Sequence, residues 1–239
     1  MKSKQTKMKR LTQLAMLFML GVSMSAGAGL FGLGGKSWKE EVLLHDGKKI
    51  IVERSEQLGG RPTLESRERQ TLSQSITFTV PETGQQVTWE MSFRNDVPEP
   101  NSVNVIALDI VNGTPYIGGY PAGCIAYNKW KRPNPPQILF KYEDSQWKRV
   151  TLEEFPTQLI QANVIVGGPP AEGLKSFYTV EQVNKENHDI HQSEYKTILR
   201  ESLPTARINE MCEERVFYKG AWVGPGDSIG KRMMDSRTK

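Results

Sequence analysis

Two cysteines, three histidines and one short cationic run are where the chemistry of this chain could reside. Cys124 and Cys212 are its only thiols. In an oxidising compartment such a pair is expected to close a disulfide, stapling the C-terminal region to the middle of the chain. The competing use, a thiolate nucleophile beside a histidine, finds no activating feature around either cysteine. His188-Asp189-Ile190-His191 sets two imidazoles three residues apart, which a helix would put on one face, with Glu194 three further on. Such a trio can ligate a transition metal. The polar Asn184-Lys185-Glu186-Asn187 just before it points instead to a hydrated connection, so no metal is assigned. His45 falls in a turn and is expected to be solvated. Gly224-Pro225-Gly226-Asp227-Ser228-Ile229-Gly230 is glycine-rich but lacks the lysine and helix context of a phosphate loop.

The most site-like run is Trp130-Lys131-Arg132-Pro133-Asn134-Pro135-Pro136, two cations beside an aromatic on a proline-stiffened loop. Such a loop loses little entropy on binding, and aromatic residues with arginine are enriched in recognition patches. Trp130, Lys131 and Arg132 are therefore the candidate binding residues, against the alternative that Trp130 packs into the core of a strand connection. No H-E-x-x-H and no paired C-x-x-C occurs, and no catalytic residue and no cofactor is assigned.

The elements that must position these residues read as strands. Val103 to Val111 is apolar on both alternating sets, which predicts a strand covered on both faces inside a sheet. Asn112-Gly113 tolerates two positive φ angles and predicts a tight hairpin returning through Thr114-Pro115-Tyr116-Ile117. Asp46-Gly47 is a second hairpin signature, between Trp38–Leu44 and Lys48–Arg54. Ser75–Val80 with Val87–Phe93, and Gln137–Tyr142 with Gln146–Val150, make two more. Cys124–Trp130 and Gln158–Val166 read as further strands. Thr179–Glu186 and Ser193–Ser202 have helical composition, Thr151 with Glu154 makes a capping-box pattern, and Arg215–Tyr218 with Ala221–Val223 is a last small hairpin. The polar stretch Gln57 to Gln70 reads as a loop. The fold class expected is mainly β, an antiparallel meander of hairpins, sandwich or barrel, with a short α-containing C-terminal region.

The start of the chain is a targeting signal. Lys2, Lys4, Lys7, Lys9 and Arg10 precede a mostly apolar run from Leu11 to Ala26, and Ala26-Gly27-Ala28 offers small residues for cleavage after Ala28. An uncleaved anchor is the alternative, since Gly29-Leu30-Phe31-Gly32-Leu33 prolongs the apolar stretch. Five of the 31 basic residues lie in 1–28 with no acidic one, leaving 26 basic against 27 acidic. The remainder is near neutral, which argues against a nucleic-acid partner. The expected organisation is a signal peptide at 1–28, a flexible lead-in at 29–37, one mainly β domain at 38–223 and a flexible tail at 224–239.

Glu41-Val42-Leu43-Leu44-His45-Asp46-Gly47, Asn112-Gly113-Thr114-Pro115-Tyr116-Ile117, Tyr127-Asn128-Lys129-Trp130 through Asn134-Pro135-Pro136, and Tyr195 to Glu201 together resemble an uncharacterised family of exported bacterial proteins. The resemblance implies a bacterial, Gram-negative envelope setting and carries no activity or site residue. The expected function is thus that of an exported protein, periplasmic or secreted, that binds an unidentified envelope protein or polymer or supports an assembly. The alternatives are an exported hydrolase of an envelope polymer, using a carboxylate pair, and a membrane-anchored protein with its β domain outside the cytoplasm.

Overall fold

A computed structural model describes residues 34–59 and 70–237. The signal segment, the cleavage position and most of the polar Gln57–Gln70 stretch lie outside the described residues. Among the described residues, eleven strands and four short helices follow in chain order: β1 (Gly35–Leu43), β2 (Lys49–Gly59), β3 (Gln70–Thr79), β4 (Gln86–Ser92), β5 (Val103–Val111), β6 (Thr114–Pro121), α1 (Cys124–Lys129), β7 (Ile138–Glu143), β8 (Gln146–Val150), β9 (Phe177–Tyr178), α2 (Val180–Glu186), α3 (Thr205–Met211), β10 (Val216–Tyr218), β11 (Ala221–Val223) and α4 (Ser228–Arg237). The protein is mainly β. Strands begin at Gly35, inside the stretch expected as a lead-in, and Ser228–Arg237 is helical where a tail was expected.

β1 to β4 form an antiparallel meander that β9 extends in parallel beside β1, while β5 to β8 form a second antiparallel sheet. The two sheets stay open, without closure into a barrel, and share one apolar layer. Val42, Val52, Ile76, Phe78 and Trp89 from the first meet Val105, Leu108, Ile117, Ile138 and Phe140 from the second, with the Trp89 and Phe140 rings edge-on at 5.8 Å. The first sheet alternates buried and exposed residues along β2 and β4, as a sheet with one wet face must. The second is covered on its other face too, where Ile106, Ala107 and Leu139 pack on Phe155, Leu159 and Ile198. That double cover is why Val103 to Val111 is apolar on both sets. A register shift between Val105 and Ala107 turns Ile106 and Ala107 to the same outer cluster.

The turn chemistry holds. Asn112 and Gly113 have φ of 52° and 73°, and Asp144 with Ser145, and Lys219 with Gly220, repeat the pair of positive angles in the other two-residue turns. Four expectations fail. β5 is an edge strand in the ladder order, and its free edge is closed by the Asn163 carboxamide, which accepts from Leu108 N–H at 2.9 Å and donates to Leu108 C=O at 2.7 Å. Cys124–Lys129 is helix, capped by Trp130: Ala126 and Trp130 are both buried, while Cys124 and Asn128 both turn to the C-terminal segment, whereas a strand would put all four on one face. Gln158–Val166 is irregular apart from one bridge between Gln161 and Thr197, because Val164, Ile165 and Val166 enter three different apolar clusters in succession. Ser193–Ser202 is helical only at the single 3-10 turn Ser193–Tyr195. The expected helix at Thr179 is present as α2, with Thr179 and Gln182 closing a capping box. Thr151 and Glu154 make half of one, a 2.8 Å bond from Thr151 N–H, around a turn that does not become a helix. The last hairpin, β10 and β11, forms its own two-stranded sheet and does not rejoin the others.

Candidate cationic and aromatic cleft

Cys124 and Cys212 are joined, with Cα atoms 5.2 Å apart. The bond ties the C-terminal segment to α1, not to a strand. Asn128, one turn on from Cys124, completes the junction: its amide donates to Glu213 C=O at 3.0 Å and its carbonyl accepts from Arg215 N–H at 2.9 Å. The chain leaving Cys212 is thereby laid alongside the residues that end α1. Lys129 fixes the third side. Its stem is 1 % exposed, and its ammonium donates to Arg94 C=O and to Asn101 Oδ1, holding the loop between β4 and β5. Burial pushes the Lys129 pKa down, against the pull of Asp96 and Glu99.

Between these three pieces opens a cleft of about 470 Å³. Lys131, Arg132 and Arg215 give it cations, Phe217 and Trp222 give it aromatic surface, and Glu214 is its one carboxylate. Phe217 and Trp222 face each other across the β10–β11 hairpin with ring centroids 5.4 Å apart, and the Trp222 indole N–H donates to Asn95 C=O at 3.0 Å. Lys131 and Arg132 both hold left-handed backbone, φ 66° and 52°. For residues with a Cβ this costs of order 1 kcal/mol each, and the backbone bonds Lys131 N–H to Asn128 C=O and Arg132 N–H to Tyr127 C=O hold them there.

The three residues singled out in the sequence do not act alike. Trp130 is buried, donates its indole N–H to Asn101 C=O at 2.9 Å, and stacks edge-on against Phe140 at 6.1 Å. It belongs to the core and does not offer a binding face. Arg132 lies over the Tyr127 ring at 5.2 Å and reaches Asn209 Oδ1 at 3.3 Å, leaving Nη1 buried without a partner. Lys131 is exposed. Arg215, Phe217 and Trp222 were not recognised as site residues. The expected disulfide carried part of the signal: joining Cys212 to Cys124 puts the residues that follow Cys212 within reach of Lys131.

The histidines are placed otherwise than as a metal trio. His188 is exposed and bonded to Asp189, and Glu194 is buried and paired with Arg207. Among the described residues no group of three or more ligating side chains gathers where an ion could sit. His45 is not simply solvated: its ring Nδ1 lies 2.9 Å from the buried Asp109 carboxylate. Among the described residues no helix is long and apolar enough to cross a membrane. Comparison with family models, with curated proteins and with solved structures gives no match.

Proposed function

We propose that this chain is an exported envelope protein that works as a binding module and holds an anionic polymer in the cationic and aromatic cleft. The observation that carries the reading is the backbone at Lys131 and Arg132, where two consecutive side-chain-bearing residues are kept in left-handed conformation at the mouth of an open cleft whose far wall is aromatic. Aromatic rings give a flat apolar face for a chain to lie on, and the flanking ammonium and guanidinium groups select negative charge. The disulfide and the signal-like first 28 residues support an oxidising, extracytoplasmic setting. The hydrolase alternative has less behind it, since glycoside hydrolysis by the usual route needs two carboxylates and the cleft lining holds Glu214 alone.

The test is calorimetric titration of the oxidised protein with an oligogalacturonate and with a neutral glucan of equal length. The acidic chain is expected to bind, more weakly as salt rises, because exposed charges are screened within about 10 Å at 0.1 M salt. Lys131→Gln with Arg215→Gln is expected to lower that affinity about tenfold, equivalent to about 1.4 kcal/mol. Lys131 is the better probe because it is exposed, whereas truncating Arg132 also strips a contact from Tyr127. Equal binding of the two glycans, or of wild type and double variant, rules the reading out.

A further inference from the structure

A second cleft, of about 340 Å³, opens where the β1–β2 turn meets β5 and the irregular 158–163 segment. Its floor is Asp109, 2 % exposed on β5, which accepts the His45 N–H at 3.1 Å and the Ile110 N–H at 2.7 Å. In the neutral imidazole, the His45 ring Nδ1, 2.9 Å from the same carboxylate, is the nitrogen that carries the proton. Its Nε2 is left as an oriented acceptor, with no partner among the described residues. Around it stand Gln158, Gln161 and Asn184, exposed carboxamides that offer a donor and an acceptor each and make no side-chain hydrogen bond among the described residues. Leu43 and Ile160, both among the exposed large apolar residues, give the cleft its apolar surface.

Two features narrow the ligand. Asp109 is the one charged side chain in the lining, it is buried, and three donors occupy three of its roughly four lone-pair positions, so the cleft favours an uncharged molecule. The strand edges that a peptide would pair with are closed, because Asn163 donates to Leu43 C=O at 3.0 Å as well as spanning Leu108. Carboxamides beside aliphatic surface match an acetamido group, whose N–H and C=O need one acceptor and one donor and whose methyl needs apolar cover. We propose that this cleft is a binding site for an uncharged N-acetylated sugar, with a ring hydroxyl donated to His45 Nε2. The site is separate from the cationic cleft, and its proof does not depend on that reading.

Titration of the isotope-labelled, oxidised protein with N,N′-diacetylchitobiose, followed by backbone amide shifts, tests this. Saturable shifts are expected at residues 43–45 and 158–163, with affinity at least tenfold weaker for His45→Phe and for Gln161→Ala. Cellobiose, which keeps the hydroxyls and lacks the acetamido groups, is expected to bind at least tenfold more weakly. Gln161 is exposed, so its variant keeps the test open even where His45→Phe does not fold. Absence of saturable shifts, shifts centred on Phe217 and Trp222, wild-type affinity in Gln161→Ala, or equal binding of cellobiose would each overturn the assignment.

Discussion

Asn163 stands in for a missing strand, and its side chain is worth more than its place in a loop implies. It bonds Leu108 N–H, Leu108 C=O and Leu43 C=O, so Asn163→Ala strands backbone groups at a wholly buried residue. The expected loss in urea denaturation is about 2–4 kcal/mol, since each buried group left unpaired costs about 1–3 kcal/mol. Glu40 and Arg54 pose the opposite case, an ion pair with side chains 0 % and 1 % exposed. Glu40 also accepts from the Trp38 indole and Ile165 N–H, and Arg54 donates to Ile165 C=O and lies over Trp38. Arg54→Met leaves a buried carboxylate and is expected to cost about 3–5 kcal/mol, with part recovered when Glu40→Leu is added. An unrecovered double variant would show that the pair itself, and not the stranded charge, carries the energy. Burial also raises the pKa values of Tyr120, Tyr127 and Tyr195 above 10.0. A phenol kept protonated by the fold contributes stability fully present below pH 10.0 and lost as pH rises toward the folded pKa. Lys129 has the reverse sign, its lowered pKa letting stability grow with pH up to 10.5. Tyr120→Phe is thus expected to move the alkaline unfolding midpoint upward with little change at neutral pH, read by circular dichroism against pH.

At the scale of elements, hairpins were legible because their signal is local. Asn112-Gly113 and Asp46-Gly47 name their turns, and alternation in Val87, Trp89 and Met91 names the face of β4. Elements whose conformation is fixed by distant partners were not. Cys124-Ile125-Ala126-Tyr127-Asn128-Lys129-Trp130 has β-prone composition, yet it coils because Cys124 and Asn128 must meet residues 212 to 215 while Ala126 and Trp130 face inward. α3 follows Pro204 and buries only Ile208, too little apolar patterning to read. The cleft was half legible: Lys131 and Arg132 were visible, and its aromatic wall was hidden behind an 88-residue separation that the disulfide spans. The same bond predicts how the site fails. Closing so long a loop stabilises by about 3–5 kcal/mol on chain-entropy reasoning. Cys124→Ser with Cys212→Ser is therefore expected to lower stability by that order. Hydrogen exchange should rise over residues 205–223 while β3 and β4 keep their protection. Uniform loss across both regions would show that the bond supports the whole sandwich and not the C-terminal arm.

Taken whole, the molecule divides its labour by layer. The first sheet alternates and leaves one face to water, the second is roofed by residues 152 to 200, and both clefts lie where irregular chain meets the ends of strands, positions that a rigid scaffold can hold and loops can vary. The first 28 residues, which lie outside the described residues, carry a basic and then apolar sequence pattern of the kind an export signal has. An export signal would also account for the charge, since the basic excess of the chain belongs to residues 1–28 and the rest carries 26 basic against 27 acidic residues. On the proposed reading, a near-neutral chain with a local cationic cleft would select an anion by site and not by overall field. The prediction that binds these points is an intact mass measured on the protein from an envelope fraction, alkylated after denaturation with and without reduction. A species beginning at Gly29 that takes up no alkyl group until reduced is expected. A mass corresponding to the full 239 residues would mean that the apolar segment is not cleaved, as the membrane-anchored alternative requires. Two free thiols would loosen residues 213 to 223 from α1 and weaken the cationic cleft, leaving its aromatic wall held by the Asn128 contacts and by the Trp222 bond to Asn95 C=O.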